Sequence, residues 1–425
     1  MSSETSKSVS AITADSDYDP NSMPVAKARE YIRAFLTPVT AVERLHLRAA
    51  LGRVLAQQIR SSIDVPSHDN SAMDGYAVRF ADLEANAESS LKVVGTSFAG
   101  KPFQDGVGPR EAVRIMTGGV MPSGCDTVIM QERVRVADGR LQVPGGQQQG
   151  ANVRYAGSDI KADQVVFEPG QVLRPAELGM IASLGIGEVP VYRRLRVAFF
   201  STGDELVPVG GTLAAGQIYD SNRYTIFGML TRLGADAIDM GLIRDDPAAI
   251  ESALAQAAQA ADVVITSGGV SVGEADFVKQ LLAKLGDVLF WKIAMKPGRP
   301  LAYGKVGQAH FFGLPGNPVS AMVTFYQFVR EALLVLMGVP HPRPLPTLKA
   351  ICTSAIKKAP GRTEFQRGIL EQGDDGHWTV RVTGDQSSGI LSSMSQANCF
   401  IVLPDAEGNT PAGASVDVQL LEGLI

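Results

Sequence analysis

Residues 193–340 alternate strand-like and helix-like segments, and that alternation dictates the kind of sheet they can build. "RLRVAFFS", "ADAIDMGLI" and "ADVVITSGG" read as strands, while "SNRYTIFGMLTRLGA", "DPAAIESALAQAAQA" and "ADFVKQLLAKLG" read as helices. Ser221 or Asn222 caps the first of these helices and Gly234 stops it. Asp246 caps the second, with Pro247 at its first position. "VLFWKIAM", "PLAYGKV" and "AHFFGLPG" follow as strands, and a final helix starts at Asn317-Pro318. Such repetition predicts an α/β domain, a parallel-rich sheet with helices on both faces. Ligands are then expected beyond the carboxyl ends of the strands.

The flanking sequence has a different rhythm. Residues 24–36 form one amphipathic helical stretch. From about 75 to 155 the chain breaks into short β-prone runs separated by glycine turns, among them the hairpin signal "VADGRL". Residues 171–192 return to a helix near Pro175 and then a short strand, so the β module looks inserted into another unit. After the linker-like "HPRPLP", residues from about 342 are β-rich and suggest a small sandwich or barrel. A chain of 425 residues exceeds one ordinary core. We read a disordered tail over 1–22 and a discontinuous helical and extended domain over 23–44 and 156–192. An inserted β domain spans 45–155, the α/β domain 193–341 and a C-terminal β domain 342–425.

Composition narrows the function classes. A net charge of −5 argues against bulk nucleic-acid binding. Cys125, Cys352 and Cys399 lie far apart and the histidines are dispersed, which disfavours a Cys/His zinc site and suits reduced thiols in the cytoplasm. The Ser-, Thr-, Asp- and Ala-rich start is unlike a signal peptide. The most apolar stretch, 319–337, is interrupted by Arg330 and Glu331, which argues against a membrane span.

Four strand-to-helix loops carry chemistry: "STGDEL" (201–206), "YDSNR" (219–223), "TSGGVSVGEAD" (266–276) and "GLPGNPVSA" (313–321). Gly268, Gly269 and Gly316 let backbone approach a ligand. Thr266, Ser267, Ser271 and Ser320 offer hydroxyls, and the helix beginning at Asn317 points N–H groups at its entrance. The ligand expected is a phosphate or pyrophosphate. Glu274 stands where a P-loop lysine would follow Gly273, and no G-x-G-x-x-G follows a strand, so neither an ordinary P-loop nor a dinucleotide fold is indicated. Glu205, Asp245 and Asp276 fall on the same sheet edge, beside Asp204. Bare carboxylates repel a phosphate, so a bridging Mg²⁺ reconciles the two, although helix capping competes as the role of any single aspartate. "FWKIAMKPGRPLAYG" adds Lys292, Lys296 and Arg299, and matching parity would turn both lysines toward the crevice. Asp74 in "NSAMDGYAV" reads as a turn aspartate; periodicity does not connect it to the α/β site.

Taken together, "NSAMDGYAV", "IMTGGVMPSGCDTVIMQE", "STGDEL", "GQIYDSNRY", "TSGGVSVGEADF", "FWKIAMKPGRPLAYG" and "GLPGNPVSA" resemble the MoeA-type molybdopterin molybdenumtransferases, which include domains of gephyrin and the plant Cnx proteins. The resemblance runs from about residue 22 to the C-terminus. It implies a homodimer whose active cleft lies between the α/β domain of one subunit and the first two domains of the other. It also implies a reaction in which adenylylated molybdopterin and molybdate react with Mg²⁺, AMP leaves and molybdenum ends on the dithiolene. Residue roles follow from the matched motifs. Glu205, Asp245 and Asp276 hold the cation or order the attacking species. Asp74 and Thr117 act across the subunit boundary, with Asp159 nearby. Lys292 and Lys296 neutralise anionic charge. Ser201, Thr202, Gly203, Asp220, Ser221, Ser267, Gly268, Gly269, Ser271, Pro315, Gly316, Asn317 and Ser320 cradle pterin and phosphate. Lys296, Pro297, Arg367 and Ser388 form the molybdate pocket. A molybdopterin adenylyltransferase and molybdoenzyme maturation proteins are the implied partners. The competing readings are a nucleotide-pyrophosphate hydrolase or adenylyltransferase built on the same α/β domain, and a non-enzymatic scaffold.

Overall fold

The computed structural model describes residues 13, 18–268 and 275–421, with backbone alone for 275–279. Residues 44–51 and 55–191 form one compact unit; 1–43, 52–54 and 192–425 belong to the other.

The larger unit begins with helix α1 (Val25–Ala34), which buries Ala28, Tyr31 and Ile32. The smaller unit carries a six-stranded sheet made of β1 (Gly75–Val78), β2 (Ser89–Ser97), β3 (Glu111–Ile115), β4 (Thr127–Met130), β5 (Arg135–Ala137) and β6 (Arg140–Val143). Their order is β4-β1-β3-β2-β6-β5, parallel only between β2 and β3. Alternating residues Val78, Leu91, Ala112, Ile129, Leu141 and Val143 fill its core, as the period-2 pattern requires. A second core in the same unit gathers Leu55, Ile59, Ile160, Phe167, Leu173 and Ile181 around helix α2 (Pro175–Ser183). Glu177 closes the start of α2 by accepting the Arg174 backbone N–H at 3.0 Å.

The α/β part of the larger unit contains β7 (Arg196–Thr202), α3 (Asn222–Leu233), β8 (Asp236–Ile243), α4 (Pro247–Ala260), β9 (Val263–Ser267), α5 (Ala275–Leu285) and β10 (Gly286–Lys292). The short β11 (Met295–Lys296) leaves this sheet, and β12 (Pro300–Val306) and β13 (Ala309–Leu314) complete it. The order is β8-β7-β9-β13-β12-β10, parallel from β8 to β13 and antiparallel thereafter. From β7 the chain crosses to β8 on one side and then to β9 on the other. The switch point therefore lies between the carboxyl ends of β7 and β9, where a crevice is expected. Ile250, Ala253, Leu254 and Ala257 of α4 recur at helical spacing and pack on Ala198, Phe200 and Val264.

A helical span from Pro318 to Leu336 follows: α6 (Pro318–Thr324), a wide π-type turn over Phe325–Val329 and α7 (Arg330–Leu336). By length and composition it is apolar enough to cross a membrane, but it lies mostly inside the protein as a core helix. At the wide turn, the Gln327 backbone carbonyl and side chain both accept from the Arg29 guanidinium of α1, and Gln327 Nε2 donates to Gln419 Oε1 at 3.0 Å. The C-terminal part is a closed barrel of β14 (Thr347–Cys352), β15 (Thr363–Gln372), β16 (Trp378–Val382), β17 (Cys399–Leu403) and β18 (Ser415–Leu420), in the order β15-β16-β14-β18-β17 and back to β15. Cys352 and Cys399 lie in its core.

Two expectations need correction. Within the stretch read as a disordered tail, residues 18–22 are described and fixed: Pro20 O accepts the Lys292 N–H at 2.7 Å. Residues 1–12 and 14–17 lie outside the described residues. The shared parity of Lys292 and Lys296 also fails. The strand ends at Lys292, and Lys296 pairs in another sheet, beside Glu364 of β15. Ile293 N–H donates to Arg299 O at 2.6 Å, and Ala294 O accepts from Thr363 N–H at 3.0 Å, so the chain changes sheets between the lysines.

Candidate functional site

Ser201 and Ser267 are register partners at the ends of β7 and β9, which brings two of the four loops together. Asn222, first residue of α3, ties in the others. Its Nδ2 donates to Ser267 Oγ at 2.7 Å and to Gly316 O at 2.6 Å. Beside it, Ser201 Oγ and Arg223 N–H donate to Asp220 Oδ1 at 3.0 and 3.3 Å, and the Arg223 guanidinium stands 3.4 Å from the Asp220 carboxylate. Asp220 is 1% exposed, so it serves as an internal pin. Gly268 has φ +92, and a Cβ there would lie 2.5 Å from Thr202 O; no larger residue lets these two loops approach so closely.

Thr202 Oγ1 and Asn222 Oδ1 are buried without a partner among the described residues. A buried orphan hydroxyl and a buried orphan carbonyl are costly unless a ligand or water satisfies them. Ser320 is buried in the first turn of α6, Gly316 and Asn317 are exposed ahead of it, and Pro315 is buried at the end of β13. Gly203 and Ser221 are half-buried in the adjoining loops. Gly269 and Ser271 lie outside the described residues, as does the side chain of Asp276, whose backbone belongs to the first turn of α5.

The cation reading rests on Glu205 and Asp245. Thr202 pairs with Ile243, so both acids lie just beyond neighbouring strand ends. Glu205 is exposed and Asp245 half-buried, whereas Asp246 is the helix cap and accepts the Ala249 N–H at 2.9 Å. No cluster of three or more metal-ligating side chains occurs among the described residues. Two strand-end carboxylates suit Mg²⁺, which shares its remaining positions with phosphate oxygens and water.

A second group gathers where the chain changes sheets. Lys296 is half-exposed, 3.5 Å from the buried Glu364, which also accepts from Gln366 Nε2 at 2.8 Å. The Lys296–Pro297 bond is cis. Gly298 packs so closely that a Cβ there would lie 2.6 Å from Thr324 Oγ1, which presses this turn onto α6. From the barrel, Ser388 meets the start of the same helix: Asn317 Nδ2 donates to its Oγ at 3.1 Å and Val319 N–H to its O at 3.2 Å. Arg367 is 1% exposed, and its guanidinium donates to Ser393 Oγ at 3.0 Å and Ser387 O at 3.0 Å. Burial pushes it down to about 10, with Asp385 opposing the shift. In this structure Arg367 holds the loop that presents Ser388.

The smaller unit brings together Asp74 and Thr117, which are 43 residues apart in sequence. Thr117 N–H and Oγ1 both donate to Asp74 Oδ1, at 2.7 and 2.8 Å. These bonds, the backbone one first, hold the Asp74 carboxyl below its ordinary range. Asp159 is exposed and donates its N–H to Val65 O at 3.0 Å; a short ladder pairing Asn70–Ser71 with Val153–Arg154 links the two loop regions. Asn222, Arg223 and Glu364 escaped the sequence reading. "YDSNR" had pointed to Asn222 only as a cap, and Glu364 had no signal beyond its place in "TEFQRG".

Comparison with known proteins places this arrangement. Residues 23–185 match the MoeA N-terminal region (domain I and II), 198–335 the "Probable molybdopterin binding domain", and 349–421 the MoeA C-terminal region (domain IV). The chain is 49% identical over 387 residues to the molybdopterin molybdenumtransferase of Haemophilus influenzae, covering 91% of this chain and 95% of that one. It is 38% identical to that of Nostoc sp., covering 89% and 88%. The solved molybdopterin biosynthesis moeA protein from Pyrococcus horikoshii OT3 superposes with a TM-score of 0.83 at 29% identity, over 94% of this chain and all of that one. The fold and strand-end crevice define a multidomain protein built around a molybdopterin-binding α/β domain. The chain belongs to the MoeA family.

Proposed function

We infer that this chain is a molybdopterin molybdenumtransferase, acting on molybdate and adenylylated molybdopterin in molybdenum-cofactor biosynthesis. The observation that carries this reading is the convergence of the strand-end loops on Asn222 within a chain 49% identical to a named transferase over most of its length. Thr202 Oγ1 and Asn222 Oδ1 would supply a donor and an acceptor to the bound pterin phosphate and pterin ring. The Ser267 hydroxyl and the start of α6 would receive the pyrophosphate, with Gly268 allowing close approach because it carries no side chain.

Two bond changes are required. Water adds to one phosphorus of the pyrophosphate link, AMP leaves with its own phosphate, and molybdopterin keeps the other. Each dithiolene thiol gives up a proton as its sulfur binds molybdenum, and one molybdate oxygen leaves with both protons as water. Glu205 and Asp245, with Asp276, would hold Mg²⁺, which supplies positive charge to the phosphate oxygens when bound. Lys292 and Lys296 add further charge, and Lys296, Pro297 and Ser388 border the molybdate position, with Arg367 holding that loop. We further propose a homodimer in the cytoplasm, with Asp74, Thr117 and Asp159 completing the site of the other subunit; the exposed face of the Asp74–Thr117 pair supports this. A molybdopterin adenylyltransferase would supply the substrate.

The test is AMP release from adenylylated molybdopterin with Mg²⁺, with and without molybdate. Molybdate-dependent release with molybdenum on the product is expected. Equal release without molybdate would identify a pyrophosphate hydrolase, and no release by the folded protein would favour a scaffold.

A further inference from the structure

The edge strand β10 ends at Lys292, and the segment just ahead of α1 is laid along that end. Lys292 N–H donates to Pro20 O at 2.7 Å, Met23 N–H donates to Lys292 O at 3.1 Å, and Ala294 N–H donates to Met23 O at 2.7 Å. Both backbone groups of Lys292 are therefore used by residues 20–23. Arg299 Nη2 donates to Asn21 O at 3.4 Å, which attaches the same segment to the far side of the lysine-rich turn. The segment braces itself as well: Asn21 N–H reaches Asp19 Oδ1 at 2.8 Å and Ser22 N–H reaches Asp19 O at 3.3 Å.

Tyr18 anchors it. Trp291 Nε1 donates to the Tyr18 hydroxyl at 3.3 Å, and the Tyr18 ring lies 6.3 Å from that of Tyr31. From there the aromatic contacts continue into the sheet, Tyr31 to Trp291, Trp291 to Tyr303 and Tyr303 to Phe312, at 6.3, 6.0 and 5.1 Å. Met23 is fully buried. The match to the MoeA N-terminal region begins at residue 23, just after this segment.

We propose that Tyr18–Ser22 is a positioning strap that holds Lys292 where its ammonium meets the substrate phosphate, with Tyr18 as its anchor. The proposal rests on the role given to Lys292 under the proposed function. A lysine side chain is long and rotamer-rich, so its end is placed only as well as its backbone is fixed. At the last residue of an edge strand, the usual neighbouring strand is missing on one side. Residues 20–23 supply that missing side at the one position where a charge must be aimed.

The experiment compares the full-length protein with Tyr18→Ala, Tyr18→Phe and Lys292→Ala. It reads the KM for adenylylated molybdopterin, kcat, and hydrogen exchange at the Lys292 and Ala294 amides. Tyr18→Ala is expected to speed exchange at those amides about tenfold and to raise KM roughly threefold to tenfold with kcat nearly unchanged. Tyr18→Phe keeps the ring contact and should stay within about twofold of the parent. Lys292→Ala should raise KM at least as far as Tyr18→Ala. Faster exchange with an unchanged KM, while Lys292→Ala is impaired, would overturn the strap and spare the lysine's role. An unimpaired Lys292→Ala would overturn that role and the proposal with it. Unchanged exchange in Tyr18→Ala would remove Tyr18 as the anchor and overturn the proposal as stated.

Discussion

Asp74 and Asp220 are both acids in the matched motifs, each accepting two hydrogen bonds on Oδ1, and they differ in burial. Asp220 is buried, takes hydrogen bonds from Ser201 and Arg223, and faces the Arg223 guanidinium. Asp74 takes both of its bonds from one residue, Thr117, on one oxygen, and the pair is exposed. Both hydrogen bonds to Asp220 likewise fall on one oxygen, Oδ1, and among the described residues its buried Oδ2 faces only the Arg223 guanidinium, so what sets Asp220 apart is burial between the loops it joins. An exposed carboxylate held on one oxygen keeps the other for something else. The contrast is one of burial, a carboxylate enclosed beside a guanidinium against one held at the surface, although the sequence presents both as aspartates in glycine- or serine-rich turns.

The largest effect expected on folding is at Asp220. Asp220→Ala leaves the Ser201 hydroxyl without its buried partner and the Arg223 guanidinium with only the more exposed Asp239, and should lower unfolding free energy by about 2 kcal/mol in a denaturant titration. A loss much below that would mean that Asp220 resembles Asp74 after all. Asp74→Asn should move the unfolding midpoint hardly at all while AMP release falls by about tenfold or more, the pattern of a group acting on a substrate. A comparable loss of stability there would break the distinction from the other side.

The smallest effect is expected from Thr117→Val. It removes the hydroxyl donation to Asp74 and keeps the backbone one, so the Asp74 carboxyl rises toward its ordinary value of about 3.9. Because the folded carboxyl lies below its unfolded value, any stability it contributes is present above the unfolded pKa and is lost only as pH falls through the folded one. At neutral pH Thr117→Val should therefore lower the unfolding midpoint slightly, and the difference from the parent should vanish as pH falls through the folded pKa. The acid limb of the rate profile should shift upward, and an unmoved limb would detach Asp74 from the rate.

Local chemistry was legible in the sequence. Asp246 and Pro247 start α4, Gly234 ends α3 at φ +78, and the strand runs of both β regions fall where their alternation puts them. Such features depend on neighbours a few residues away. What could not be read depends on distant partners. Lys292 and Lys296 part because Ala294 is recruited by Thr363, 69 residues later. Composition marked residues 18–22 as unstructured, since nothing in "YDPNS" announces Trp291 as its partner. Asn222 carries the same side chain whether it caps a helix or fastens three loops, and only the fold distinguishes those uses.

The wide turn at Phe325–Val329 has a consequence for how this chain can change length. A π-type turn accommodates one residue more than the regular helix would hold. Removing one residue there would return the helix to regular pitch while leaving α7 in nearly the same phase. The apolar stripe of α7 would keep its direction, but the backbone that widens to meet α1 and the barrel would be lost, and Gln327 would release both Arg29 and Gln419. The surface turns can gain or lose a residue at little cost, but this point in the interior is held from both sides, by Arg29 of α1 and Gln419 of the barrel, and its length is fixed by them.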